Sequence, residues 1–134
     1  MSALTVDRNT AAKDIIRAIA YPVKGSTVIY DGALVMVVAG YAKPAADASG
    51  GKVVGVADFR ADNSSGADGA IKVRVRRGVF HLDNADCTQA DVGSRIFVSD
   101  DHTITHTDPT NHTKAGELLE IESTGGAWVL VDGA

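Results

Sequence analysis

Aromatic side chains are scarce, at 5% of the chain. A core with few rings must be filled by small aliphatic residues, and a sugar site, which stacks its ligand on exposed rings, lacks its usual material. Cysteine occurs once, at Cys87, so no disulfide within the chain is possible. A basic excess is also missing. The net charge is −4 and the isoelectric point about 5.4, which disfavours a general nucleic-acid binder. No apolar run approaches the roughly 18 residues that a membrane-spanning helix needs. Met1 to Arg8 has no basic segment leading into an apolar one, so no secretion signal is read. An intracellular, reducing setting, or a particle assembled in one, is therefore expected.

What is present is a globular mix: 134 residues, 45% hydrophobic and 22% charged, with 14 glycines. That length suits one domain with a real core. Ile71, Val73 and Val75 alternate with Lys72, Arg74 and Arg76, the period of a strand with one buried and one solvated face. After Arg77–Gly78 the large apolar residues, Phe80 and Leu82, fall on even positions. A bulge or bend at Gly78 is predicted to absorb the change of parity. The result is one long bent strand or two strands with a kink, carrying Lys72, Arg74, Arg76 and Arg77 near its middle.

The rest of the chain has the same character. Thr10 to Ala20 carries both a helical spacing (Ala12, Ile15, Ile16, Ile19) and an alternation, and Pro22 biases Tyr21 toward extended geometry. We read it as extended, with a helix as the alternative. Strands are expected at Ser26–Tyr30, Ala33–Val38, Lys52–Phe59, Arg95–Ser99 and Thr103–Thr107. Asp31–Gly32 is a hairpin signal. Thr88 to Gly93 reads as one helical turn ended by glycine. Gly116–Ser123 and Ala127–Val131 read as a last hairpin. Short strands at this spacing predict an all-β fold, a small β-barrel or β-sandwich, with an N-terminal arm over residues 1–22 and a single β domain over 23–134.

Chemistry-bearing residues do not assemble into a motif. His102, His106 and His112, with Asp100, Asp101 and Asp108 nearby, match no zinc spacing and are read as polar loop residues. His81 has no nucleophile motif beside it. Cys87 has no basic sequence neighbour to activate it. Gly51–Lys52 resembles the end of a phosphate loop, but Ala46 and Val53 stand where that motif needs glycine and Ser or Thr. No catalytic residue, cofactor or metal is assigned. The basic set is either a solvated sheet face or an ionic contact surface. Trp128, the sole tryptophan, is either a core residue or an interface anchor.

The order of several segments is similar to a known family. These are Tyr21–Val23, Val28–Val35, Gly40–Tyr41, Lys52–Ala57, Asp62–Gly69, Val73–Phe80, Thr88–Gly93, Val98–Asp101, Ala115–Gly116 and Trp128–Val129. Together they resemble the small head-decoration (capsid cement) proteins of tailed phages and prophages, over nearly the whole chain from about Arg8. The resemblance implies a β-tulip domain with an N-terminal arm. It implies a homotrimer on the outer surface of the virion head, binding the major capsid protein, with no direct contact to nucleic acid or membrane. It carries over no catalytic residue. The contact residues expected on this reading are Leu4, Val6, Arg8, Ile15 and Arg17 in the arm region, then Lys72, Arg74, Arg76, Arg77 and Trp128. A small β-barrel module for a sugar or peptide, or a minor virion or tail component, is the alternative.

Overall fold

The computed structural model describes residues 19–133. The regular elements among those residues are all strands, apart from a single 3-10 turn at Gln89–Asp91. Five strands make an open antiparallel sheet: β1 (Ile19–Pro22), β3 (Leu34–Val38), β4 (Tyr41–Pro44), β5 (Lys52–Ala57) and β7 (Lys72–Arg76), in the order β1-β7-β5-β3-β4. A parallel bridge from Val23, just past β1, to Ala42 of β4 curls this sheet toward closure. Five more make a closed barrel: β8 (Gly78–Asn84), β9 (Arg95–Val98), β10 (Thr103–Thr105), β11 (Lys114–Ile121) and β12 (Gly126–Val131), in the order β10-β8-β12-β11-β9. A two-stranded ribbon pairs β2 (Thr27–Ile29) with β6 (Ala61–Asn63). The all-β expectation holds.

The strand pair around Gly78 joins the two halves. Val73 and Val75 are buried, while Lys72 and Arg74 are exposed, as the alternation requires. The chain leaves the sheet after Arg76 and enters the barrel at Gly78, whose φ of 151° suits glycine. Beyond it, Leu82 points into the barrel core and Val79 into solvent. The parity change is thus a change of sheet.

Two hydrophobic cores result. One fills the barrel with Leu82, Ile96, Val98, Ile104, Leu118, Val129 and Val131. The other fills the curled sheet with Val23, Ile29, Val35, Val54, Val73 and Val75. Strands β3 and β5 feed both. Leu34 and Met36 face the barrel, while Ala33 and Val35 face the second core. On β5, Val53 and Val56 face the barrel, and Val54 and Ala57 face the other way. That spacing needs one extra residue, and the β3–β5 register shifts at this point. Val54 is the residue skipped in the register, next to Gly55, where a Cβ would lie 2.7 Å from the Arg76 carbonyl oxygen. Only glycine lets β5 and β7 approach so closely.

Two sequence expectations differ from the structure in detail. Asp31–Gly32 does turn the chain, with Gly32 at φ 86°, but it joins no hairpin. Both edges of β3 are taken by β4 and β5, so β2 pairs with β6 instead. The β3 hairpin is made later, through Ala39 and Gly40, which both have positive φ. Ile19–Pro22, assigned to the arm, is strand β1, paired along β7. Residues 10–18 of the ambiguous segment lie outside the described residues.

Candidate interaction surface

β1 and β7 form one end of the curled sheet. The outward face of β7 carries Lys72, Arg74 and Arg76 on the same side as Val56, whose cross-strand partner is Arg76. That side of β5 is covered by the barrel. At β7 the barrel no longer covers it, because the chain itself turns away at Gly78. The basic face therefore lies on the shoulder between sheet and barrel.

Asp58 organises this shoulder. It follows β5, and its N–H donates to the Arg74 carbonyl at 2.9 Å, which sets its carboxylate beside the two arginines. Oδ2 lies 3.7 Å from Arg74 Nε, and Oδ1 lies 3.6 Å from Arg76 Nε. The guanidinium of Arg74 lies over Phe59 at 5.1 Å, and that of Arg76 over Phe80 at 5.4 Å. Next along the chain, Arg60 lies over Tyr30 at 5.3 Å and pairs with Asp62 at 3.8 Å. Each such contact on an exposed ring is worth about 0.5–1 kcal/mol. Tyr30 and Phe59 are 57% and 43% exposed, respectively. Arg60, Lys72, Arg74 and Arg76 set against Asp58 and Asp62 leave a positive surplus on a chain whose net charge is −4. Arginine and aromatic side chains, preorganised and half exposed, are the materials of protein interface hot spots.

The expected contact residues divide. Lys72, Arg74 and Arg76 share the shoulder. Arg77 does not: its Nε–H donates to the Val54 carbonyl at 2.8 Å, and its Nη2 reaches the Tyr21 hydroxyl at 3.4 Å. It is a strut tying β5 to β1. Trp128 is on the barrel's outer face, apart from the core residues of β12 and from the basic set. Its Nε1–H donates to Glu122 at 2.6 Å, and its ring meets His81 edge-on at 5.2 Å. Leu4, Val6, Arg8, Ile15 and Arg17 lie outside the described residues. Asp58, Phe59 and Phe80 were not foreseen as contact residues. Alternation within one strand shows which residues share a face but not which neighbouring strand lies beside them.

The histidines do not converge. His102 places Nδ1 2.8 Å from Asp83 and Nε2 3.4 Å from Asp100. His106 places Nδ1 3.2 Å from Asp91 and Nε2 3.4 Å from Asp86. His112 pairs with Asp108 at 2.6 Å, and His81 with Glu122 at 3.4 Å. For His102, carboxylates facing both ring nitrogens suit an imidazolium, which has two N–H donors. Cys87 is buried in the barrel core, and burial, then Asp91 and Asp86, push its thiol up to about 11. That is the inert end of cysteine behaviour.

A groove of about 400 Å³ is lined by Gly51, Lys52, Val53, His112, Lys114 and Gly133. Its two lysines are exposed, and the one enclosed side-chain nitrogen lacking a hydrogen bond among the described residues, Arg76 Nε, is not among its lining residues. The groove has none of the convergent buried polar groups that fix a small ligand. No protein-family model, curated protein or solved structure matches the chain.

Proposed function

We propose that this chain is a capsid decoration protein, which binds the outer surface of an assembled phage head through the major capsid protein and braces it against internal pressure. The mechanism is mechanical and not enzymatic. Many copies each cover a boundary between capsid subunits, and binding to the assembled shell alone stabilises that shell by mass action. Assembly as a homotrimer adds avidity. The order of sequence segments supports this reading. The observation that carries it is the shoulder around Asp58, where Arg74 over Phe59 and Arg76 over Phe80 give a positive surface on an acidic protein. The 18 residues before β1 join the fold at Ile19, across from Val75, on the strand adjoining this face. A basic shoulder suits a partner surface that is acidic.

The test is the copy number of the chain in purified particles, together with a variant. The expected result is an abundance comparable to that of the major capsid protein. Arg74→Gln with Arg76→Gln is expected to weaken head binding by about tenfold or more, the scale of losing one or two hot-spot contacts. The unfolding midpoint should barely move, because exposed ion pairs contribute little. A handful of copies per particle points to a tail or vertex component. Absence from particles leaves the small ligand-binding module, and undiminished binding of the double variant removes the shoulder from the contact.

A further inference from the structure

The barrel closes through a short seam, with no more residue pairs than β9–β10. β8 meets β10 in parallel over only Asp83↔Thr103 and Asn84↔Ile104, whereas β8 meets β12 over the six residue pairs from Gly126↔Asp83 to Val131↔Gly78. Asp83 N–H donates to the His102 carbonyl at 2.9 Å, and Ala85 N–H donates to the Ile104 carbonyl at 3.0 Å. Parallel pairing is also the weaker kind per residue. A strand held by so little backbone needs help from its side chains.

The help sits at both ends of the seam. At one end His102 bridges Asp83 of β8 and Asp100 of the preceding turn. At the other, His106 bridges Asp86, just past β8, and Asp91 of the 3-10 turn. Asp86 also accepts from Thr105 Oγ1, the His106 N–H and Thr107 Oγ1 at 2.8, 2.8 and 2.6 Å. The charged groups facing the two rings are thus Asp83, Asp86, Asp91, Asp100 and, nearby, Asp101. No lysine or arginine among the described residues is ion-paired to any of them. Among the described residues, two imidazoles are the only side chains ion-paired to these carboxylates. Directly behind the seam, Cys87 is held by the Asn84 side chain, which accepts from its N–H at 2.8 Å and donates to its carbonyl at 3.0 Å.

We propose that the β8–β10 seam is a proton-operated latch. Protonated His102 holds β10 against β8. Loss of its proton leaves Asp83 and Asp100 facing one another, and β10 lifts, opening the barrel wall over Cys87. The latch is a property of the barrel and does not rest on the decoration reading.

The sign follows from the groups involved. The hydrogen bond that His102 donates to Asp83, then the charge of Asp100, raise His102 above its ordinary 6.5. Its contribution is complete below that value and is lost as pH rises through the raised one. Asp91 is held below the ordinary 3.8 by the Thr88 N–H, and Asp86 and Asp100 are held low by hydrogen bonds that outweigh their desolvation. Their contribution is present above 3.8 and lost as pH falls through the lowered values. The seam is therefore tightest between carboxylate ionisation and histidine deprotonation.

Cys87 reports the opening, because a thiol this buried reacts only when the wall lifts. The experiment measures Cys87 labelling of the full chain from about pH 5.5 to 8.5, a range in which histidine titrates. Each rate is divided by the same-pH rate in denaturant, which removes intrinsic thiolate availability. The normalised rate should rise by about two- to fivefold across the range, the scale of an exposed ion pair. His102→Gln with His106→Gln should label fast and independently of pH. Should that variant fail to fold, Asp83→Asn with His106→Gln serves in its place. Global stability by denaturant at each pH separates the local event from whole-molecule unfolding. A pH-independent normalised rate in the native chain, slow labelling in the histidine variant, or labelling that merely tracks global stability would each overturn the latch.

Discussion

Asn63 is one of two buried polar residues in the described fold, with Thr113. Its amide nitrogen serves three carbonyls, those of Val23 and Lys24 at 3.1 Å and of Ala67 at 2.9 Å. One side chain thereby ties the chain past β1 to the loop after β6. A Cβ on Gly66 would collide with the Asn63 Oδ1, so the loop closes around this side chain only with glycine there. Asn63→Ala leaves these carbonyls short of a donor inside the fold. The expected loss is about 2–3 kcal/mol, from the desolvation of unsatisfied groups. Asn63→Asp should cost more, because it turns a carboxylate toward the same carbonyls. Denaturant midpoints of the two variants check this, and a loss within error for both would show that water replaces the amide freely. Nothing in the sequence distinguished Asn63 from Ser64 and Ser65: all are turn formers, and only the fold shows which one is turned inward.

Elements were legible where the signal was local. The alternation over β7, the parity break at Gly78, the β9–β10 and β11–β12 hairpins and the turn at Thr88–Gly93 all follow from period and turn chemistry within a few residues. Pairing between distant elements was not. Asp31–Gly32 has hairpin chemistry, yet β2 goes to β6, because which partner wins depends on open edges elsewhere. The shoulder shows the same divide. Lys72, Arg74 and Arg76 were visible as a stripe, but their shared carboxylate comes from the end of β5, set by the β5–β7 register. Arg77 looked like a fourth member and is a strut instead, since the chain turns between Arg76 and Gly78. The arm yields a prediction at this same scale. Residues 1–10 precede β1 by eight residues, and β1 draws its pairing from β7. Deleting them should leave the unfolding midpoint unchanged while weakening attachment to heads. The check is sedimentation of the truncated chain with particles, and full attachment would take the arm out of the proposed contact.

At the scale of the whole molecule, the two cores are not independent. Leu34 and Met36 pack into the barrel from the same strand that sends Val35 into the curled sheet, and β5 repeats the arrangement across Gly55. Unfolding the barrel strips cover from Leu34, Met36, Val53 and Val56, apolar side chains whose full exposure costs about 1.5–3 kcal/mol apiece. An intermediate with one core formed and the other open must bear that exposure along β3 and β5 together. It is also severed at Gly78, where one backbone leads from sheet to barrel. The chain should therefore unfold in a single transition, with calorimetric and van't Hoff enthalpies equal. Met36→Ala removes packing from the barrel core only, at a cost of about 2–5 kcal/mol, and Val35→Ala trims the other core by less. Both should move the same transition without splitting it. A second heat-absorption peak in either variant, or one transition that responds to Met36→Ala and another to Val35→Ala, would mean that the shared strands do not couple the cores.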